Sequence, residues 1–91
     1  MNLRDRIKSS EILTSQEKLI MGLMENYSMT NRQIIDVLMS EPFYLNLQEV
    51  FDAMNSLNTK RLLSIQQFVK SAKSMEVDVL LTFAQDWVLK I

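Results

Sequence analysis

The sequence predicts an all-α protein, a single small bundle of about five short helices over residues 1–91. Three observations predict it. Gly and Pro occur once each, so the corners that an all-β chain draws from Gly, Asn-Gly and Pro are in short supply. Capping boxes recur at short intervals, pairing Thr14 with Glu17, Thr30 with Gln33 and Asn46 with Glu49; each sets a side-chain acceptor three residues ahead of an acid or amide. After each box the apolar residues return at three and four, the spacing of one helix face. With 47% apolar and 23% charged residues, the composition suits a folded domain rather than a disordered segment. The length suits one domain.

Behind Thr14, the residues Leu19, Ile20, Leu23 and Met24 fall on one side of a first helix, and behind Thr30, Ile34, Ile35, Val37 and Leu38 do so on a second. The link from Ser40 to Leu45 is irregular, because Pro42 discourages helix at Glu41, and Phe43 and Tyr44 follow it. A third helix over 46–57 gathers Leu47, Val50, Phe51, Met54 and Leu57 on one side and Gln48, Glu49, Asp52, Asn55 and Ser56 on the other. A fourth, 59–73, is capped by Asn58 or Thr59 and buries Leu62, Ile65, Phe68, Val69 and Ala72, leaving Leu63 outside the stripe. The last, 75–90, follows Ser74 and collects Val77, Leu80, Leu81, Phe83, Ala84, Trp87 and Val88 into an arc near half the circumference.

A β-hairpin through 62–83, which would suit a winged helix, is the competing reading of this last third. Helix is favoured because Lys70 to Met75 contains no Gly, Asn or Pro to turn the chain, and because Ala72 and Lys73 are helix formers.

Without Cys or His, the chain lacks disulfides, thiolate nucleophiles, the commonest metal ligands and the usual neutral-pH acid or base. No two carboxylates stand at a telling spacing, and no Gly-rich loop is present to cradle phosphate. No enzyme activity, metal or cofactor is therefore expected. The basic start with Arg4, Arg6 and Lys8 lacks a following apolar run, and no stretch approaches the roughly eighteen apolar residues of a membrane span. A cytoplasmic protein without membrane contact is expected.

Charge is unevenly spread. Residues 1–10 carry +2, 11–57 carry −5, 58–75 carry +4 and 76–91 carry −2. Such asymmetry bears on the choice of partner and the rate of encounter more than on the fold.

The residues Leu13, Thr14, Glu17 and Ile20, followed by Thr30, Asn31, Arg32, Gln33, Ile34 and Leu38, resemble the opening of LuxR/GerE-type helix-turn-helix domains. In these an L-T-x-x-E helix precedes a T-N-x-x-I helix, and the resemblance covers residues 13–57, about half the chain. It implies that the bundle is built on a trihelical helix-turn-helix-like core, that 46–57 is a recognition helix and that Asn31, Arg32, Gln48 and Asn55 face DNA. The glycines that such domains place between helices are absent, and the link from Leu38 to Asn46 is longer than a tight turn. Duplex binding draws most of its affinity from Lys and Arg neutralising phosphates, whereas 11–57 is acidic.

The function expected from the sequence is therefore that of a small regulator or adaptor in bacterial or phage gene regulation, acting by protein–protein contact. A DNA-binding transcriptional regulator is the alternative. The partner-binding residues expected are Tyr44, on the link, and Lys60, Arg61, Leu63, Lys70 and Lys73, on or beside the basic fourth helix. A homodimer is expected through the wide arc of the last helix, by way of Val79, Leu80, Phe83, Trp87 and Leu89.

Overall fold

All three capping boxes close. Thr14, Thr30 and Asn46 each accept a hydrogen bond from the backbone N–H three residues on, at 3.2, 3.2 and 2.8 Å. The side chains of Glu17, Gln33 and Glu49 accept from the cap residue's own N–H at 2.9, 2.9 and 3.1 Å. Two of the donors orphaned at each helix start are thereby satisfied. The helices that follow are α2 (Ser15–Leu23), α3 (Asn31–Leu38) and α4 (Leu47–Thr59). A computed structural model of the chain describes residues 2–25, 28–69 and 77–91, with 65–69 and 77–79 as backbone alone.

A short helix, α1 (Leu3–Ser9), precedes these three; it is capped by Asn2, whose side chain accepts from Asp5 N–H, and is pinned by the buried Ile7. The remaining elements are β1 (Met29–Thr30), β2 (Leu63–Val69), β3 (Val77–Phe83) and the single turn α5 (Trp87–Lys90). Ile20, Met21 and Met24 from α2, Ile34 and Leu38 from α3, and Val50, Met54 and Leu57 from α4 meet Leu62, Leu63 and Leu81 in one core. The strands form an antiparallel sheet in the order β1-β3-β2. Three helices, with one short strand between the first two and a strand pair after the third, make the element order of a winged helix.

The all-α expectation is thus corrected in the last third. In place of helices over 59–73 and 75–90, β2 and β3 pair along their whole described length, from Leu63 opposite Phe83 to Val69 opposite Val77. Period two is legible in part: Leu63 and Ile65 alternate with Ser64 and Gln66 before Gln67 and Phe68 break the pattern, and Val77, Val79, Leu81 and Phe83 alternate with Asp78 and Thr82, with only Leu80 apolar on that side. β-branched and aromatic residues suit a half-buried pleated surface. Tertiary pairing with β1, where Leu81 faces Met29 and Leu80 faces Thr30, tips the balance toward strand. The missing turn formers had argued against a hairpin, but seven residues separate Val69 from Val77, and a connection of that length does not need the Asn-Gly of a two-residue turn. Ala72 and Lys73, counted as helix formers, lie outside the described residues.

Candidate docking face

The link between α3 and α4 folds back on itself. The carbonyl of Ser40 accepts from the N–H groups of Phe43 and Tyr44 at 3.0 and 3.1 Å, and the Leu45 N–H donates to the Leu38 carbonyl at 2.8 Å. Ser40 Oγ also donates to the Asp36 carbonyl at 2.6 Å. This geometry turns Phe43 inward, half-buried against the core, and leaves Tyr44 outside, 65% exposed. Tyr44 sits at φ 49°, a left-handed conformation that costs a side-chain-bearing residue energy. Its hydroxyl pKa is raised by a hydrogen bond with the Glu41 carboxylate, with a further contribution from desolvation.

α4 turns a different face to the core than its pattern suggests. Val50, Ala53, Met54 and Leu57 are buried, whereas Leu47 and Phe51, expected inside, are exposed. The buried stripe is thus rotated to include Ala53. Leu47 and Phe51, four residues apart, are neighbours on the helix surface. With Met39 at the end of α3 and Tyr44 on the link, four large apolar side chains are exposed within thirteen residues. Asp36 and Glu41 are exposed in the same stretch of chain, whereas the exposed Asp52 and the half-buried cap Glu49 line the cleft between α2 and α4. Arg32 is the one base between residues 31 and 59.

A second concave surface lies between α1 and α2. It encloses about 380 Å³ over Ile7, Leu19, Leu23 and Phe43, with Arg4, Lys8 and Lys18 at its rim. Lys18 Nζ donates to the Lys8 carbonyl at 2.6 Å, and Arg4 Nε stands 3.3 Å from Glu25.

Of the residues expected to bind a partner, Tyr44 is exposed on the α3–α4 face, but Lys60 is engaged within the molecule. Its ammonium lies 2.7 and 2.9 Å from the two oxygens of Glu17 and donates to the Ile12 carbonyl at 2.6 Å. The Glu17 side chain is 1% exposed. Burial pushes its carboxyl pKa up, but hydrogen bonds from Lys60 and from the Thr14 backbone and side chain outweigh that and hold it below its ordinary value. Leu63 is 2% exposed, so it is core rather than contact surface; as a strand residue it enters the interior that a helix would have denied it. Arg61 is exposed at φ 60° in the turn from α4 to β2, where its carbonyl accepts from Lys90 Nζ at 2.9 Å. Lys70 and Lys73 lie outside the described residues.

The expected self-association helix does not form, because 77–83 is the central strand of the sheet. Leu80 is half-buried opposite Thr30 and Gln66, and the Val79 backbone pairs with Gln67. Phe83 stacks on Trp87 with ring centroids 4.3 Å apart, both packed against the core. Arg6 donates to the Val88 carbonyl at 2.8 Å, so together with Lys90 it ties α5 to its own chain. Leu89 alone of this set is strongly exposed, at 81%.

Of the residues the DNA-binding alternative uses, Asn31 opens α3 and Arg32 is exposed beside it, while Gln48 and Asn55 are exposed on α4. Gln48 Nε2 donates to Asp52 at 2.7 Å. Among the described residues there is no group of three or more acids placed to hold a metal ion. Nor is any described helix long and apolar enough to cross a membrane. No protein-family model matches the chain, and no curated protein matches it in sequence.

Proposed function

We propose that this protein is a small regulatory or adaptor module that acts by protein–protein contact through its α3–α4 face. One observation carries the reading: the stretch from the end of α3 into α4 exposes Met39, Tyr44, Leu47 and Phe51, and residues 31–59 hold four acids and a single base. Phosphate neutralisation needs Lys and Arg, and an acidic surface repels the duplex. Clustered exposed apolar side chains mark protein interfaces, where aromatic residues and Met are enriched. Tyr44, exposed although its backbone is held at φ 49°, fits a contact residue, because strained conformations concentrate at functional sites. The role in gene regulation rests on analogy with the winged-helix order alone.

The DNA-binding reading draws on that same element order and on Gln48 and Asn55, whose amides are of the kind that reads adenine. A gel shift with random duplex at low salt separates the two, since even non-specific DNA binders associate there. The protein-contact reading expects no retarded band. A band that disappears as salt is raised, and whose sequence preference is relaxed by Asn55→Ala, would establish the other.

A further inference from the structure

The groove between α1 and α2 opens to solvent over an apolar floor of Ile7, Leu19, Leu23 and Phe43, and its two walls are unlike. On the α2 side Lys18 and Gly22 stand one turn apart, so the wall drops to bare backbone at Gly22. Gly22 is the chain's only glycine. It lies inside the helix with an ordinary backbone and its surface exposed, and a Cβ added there meets no atom within 4 Å. Glycine weakens a helix relative to alanine, so neither the local backbone nor packing among the described residues calls for it. Close approach by the backbone of a further element does.

The rim supplies the charge. Arg4 and Lys8 stand one turn apart along α1. Lys18 reaches across from α2, its Nζ donating to the Lys8 carbonyl at 2.6 Å, so its ammonium is held at the Lys8 end of the groove. Arg4 is answered by Glu25 at 3.3 Å, whereas among the described residues no acid pairs with Lys8 or Lys18. Two uncompensated positive charges therefore flank one end of an apolar floor.

We propose that the α1–α2 groove is a second docking site, and that it receives an amphipathic helix of another protein whose apolar side is bordered by Asp or Glu. Apolar anchors at i and i+4 of that helix match the floor leucines Leu19 and Leu23, themselves spaced at i and i+4. Its carboxylates meet Lys8 and Lys18, its backbone passes over Gly22, and a helix with a basic border is turned away by the same lysines. A recessed floor suits an inserted side chain better than the flat surface of a bilayer, and a DNA duplex offers it no apolar group. The site goes beyond the α3–α4 contact and stands if that contact fails.

Selection against the full chain from a display library of helical peptides, randomised along one face of an alanine-rich scaffold, tests this. The recovered peptides are then measured by fluorescence anisotropy. They are expected to carry Leu, Ile or Phe at i and i+4, bordered by Asp or Glu. Lys8→Glu with Lys18→Glu should weaken their binding by roughly tenfold or more, and exchanging the peptide's acids for Lys should restore affinity for that variant. Gly22→Ala should weaken binding while raising the thermal midpoint of the chain, which separates lost approach from lost folding. No enriched peptide, enriched peptides without acids, or binding unaffected by either change would overturn the proposal. So would binding to phosphatidylglycerol vesicles that displaces the peptides, since lipid would then be the occupant.

Discussion

Glu17 and Asp52 line the same cleft between α2 and α4, yet their charges have opposite fates. Glu17 is enclosed and answered from within, by Lys60 at 2.7 Å and by the Thr14 N–H at 2.9 Å. Asp52 is exposed and meets only the neutral amide of Gln48. A segment's net charge therefore says little about the charge a partner meets. Lys60 is one of four bases that give 58–75 its +4, and it is spent inside. Asp36, Glu41 and Asp52 remain exposed. The apolar residues divide in the same way: Leu63 is 2% exposed and Leu89 81%, although both lie outside the helical stripes read from sequence.

If that division is right, the largest effect belongs to the enclosed leucine. Leu63→Ala should cost about 2–4 kcal/mol in urea unfolding, the range for truncating a buried leucine, while Leu89→Asp should stay within about 0.5 kcal/mol, as exposed positions usually do. Equal costs would erase the distinction.

Lys60→Met comes next. It strands a buried carboxylate, which costs about 3–5 kcal/mol in a fully buried pair; with 32% of the Lys60 side chain still exposed, about 2–3 kcal/mol is expected by the same principle. Asp52→Asn, by contrast, should leave stability within about 0.5 kcal/mol of wild type. Urea midpoints measured side by side check both.

Acidification sharpens the contrast further. The Glu17 pKa in the folded chain is lowered from an ordinary value of 4.5, so its contribution to stability is present above that value and is lost as pH falls through the folded-state pKa. The wild-type urea midpoint should accordingly fall across that window. In Lys60→Met the Thr14 hydrogen bonds still oppose burial but the lowering by Lys60 is gone, so the carboxyl pKa rises relative to wild type and the fall in midpoint on acidification should shrink. A pH series of urea midpoints on both proteins reads this out; parallel profiles would show that the pair does not set the acid response.

The smallest expected effect lies on the outer surface. Tyr44→Gly should raise the thermal midpoint by a few degrees, because glycine adopts φ 49° without steric cost. Differential scanning calorimetry reads this out, and an unchanged or lowered midpoint would contradict it.

The parts of the fold legible in the sequence were those fixed by short-range chemistry. Each capping box needs only a side chain and a backbone N–H three residues apart, and all three mark the true starts of α2, α3 and α4. The helix α1 escaped because it buries a single residue, Ile7, and one buried residue makes no period. β2 and β3 were misread because their apolar residues fit both spacings, and the choice is made by β1, more than thirty residues earlier in sequence than β2. Of the docking face, Tyr44 could be singled out from its place beside Pro42, whereas Leu47 and Phe51 could not. Their exposure depends on which side of α4 its neighbours cover, and that side takes in Ala53 instead. Lys60 looked like a free cation because its partner, Glu17, is 43 residues away.

The central claim is that the α3–α4 face contacts protein and not DNA, and amide spectra of the uniformly labelled chain titrated with random duplex at low salt test it most directly. The account expects spectra that do not move. Duplex-dependent shifts at Arg32, Gln48 and Asn55 that fade as salt is raised would contradict it.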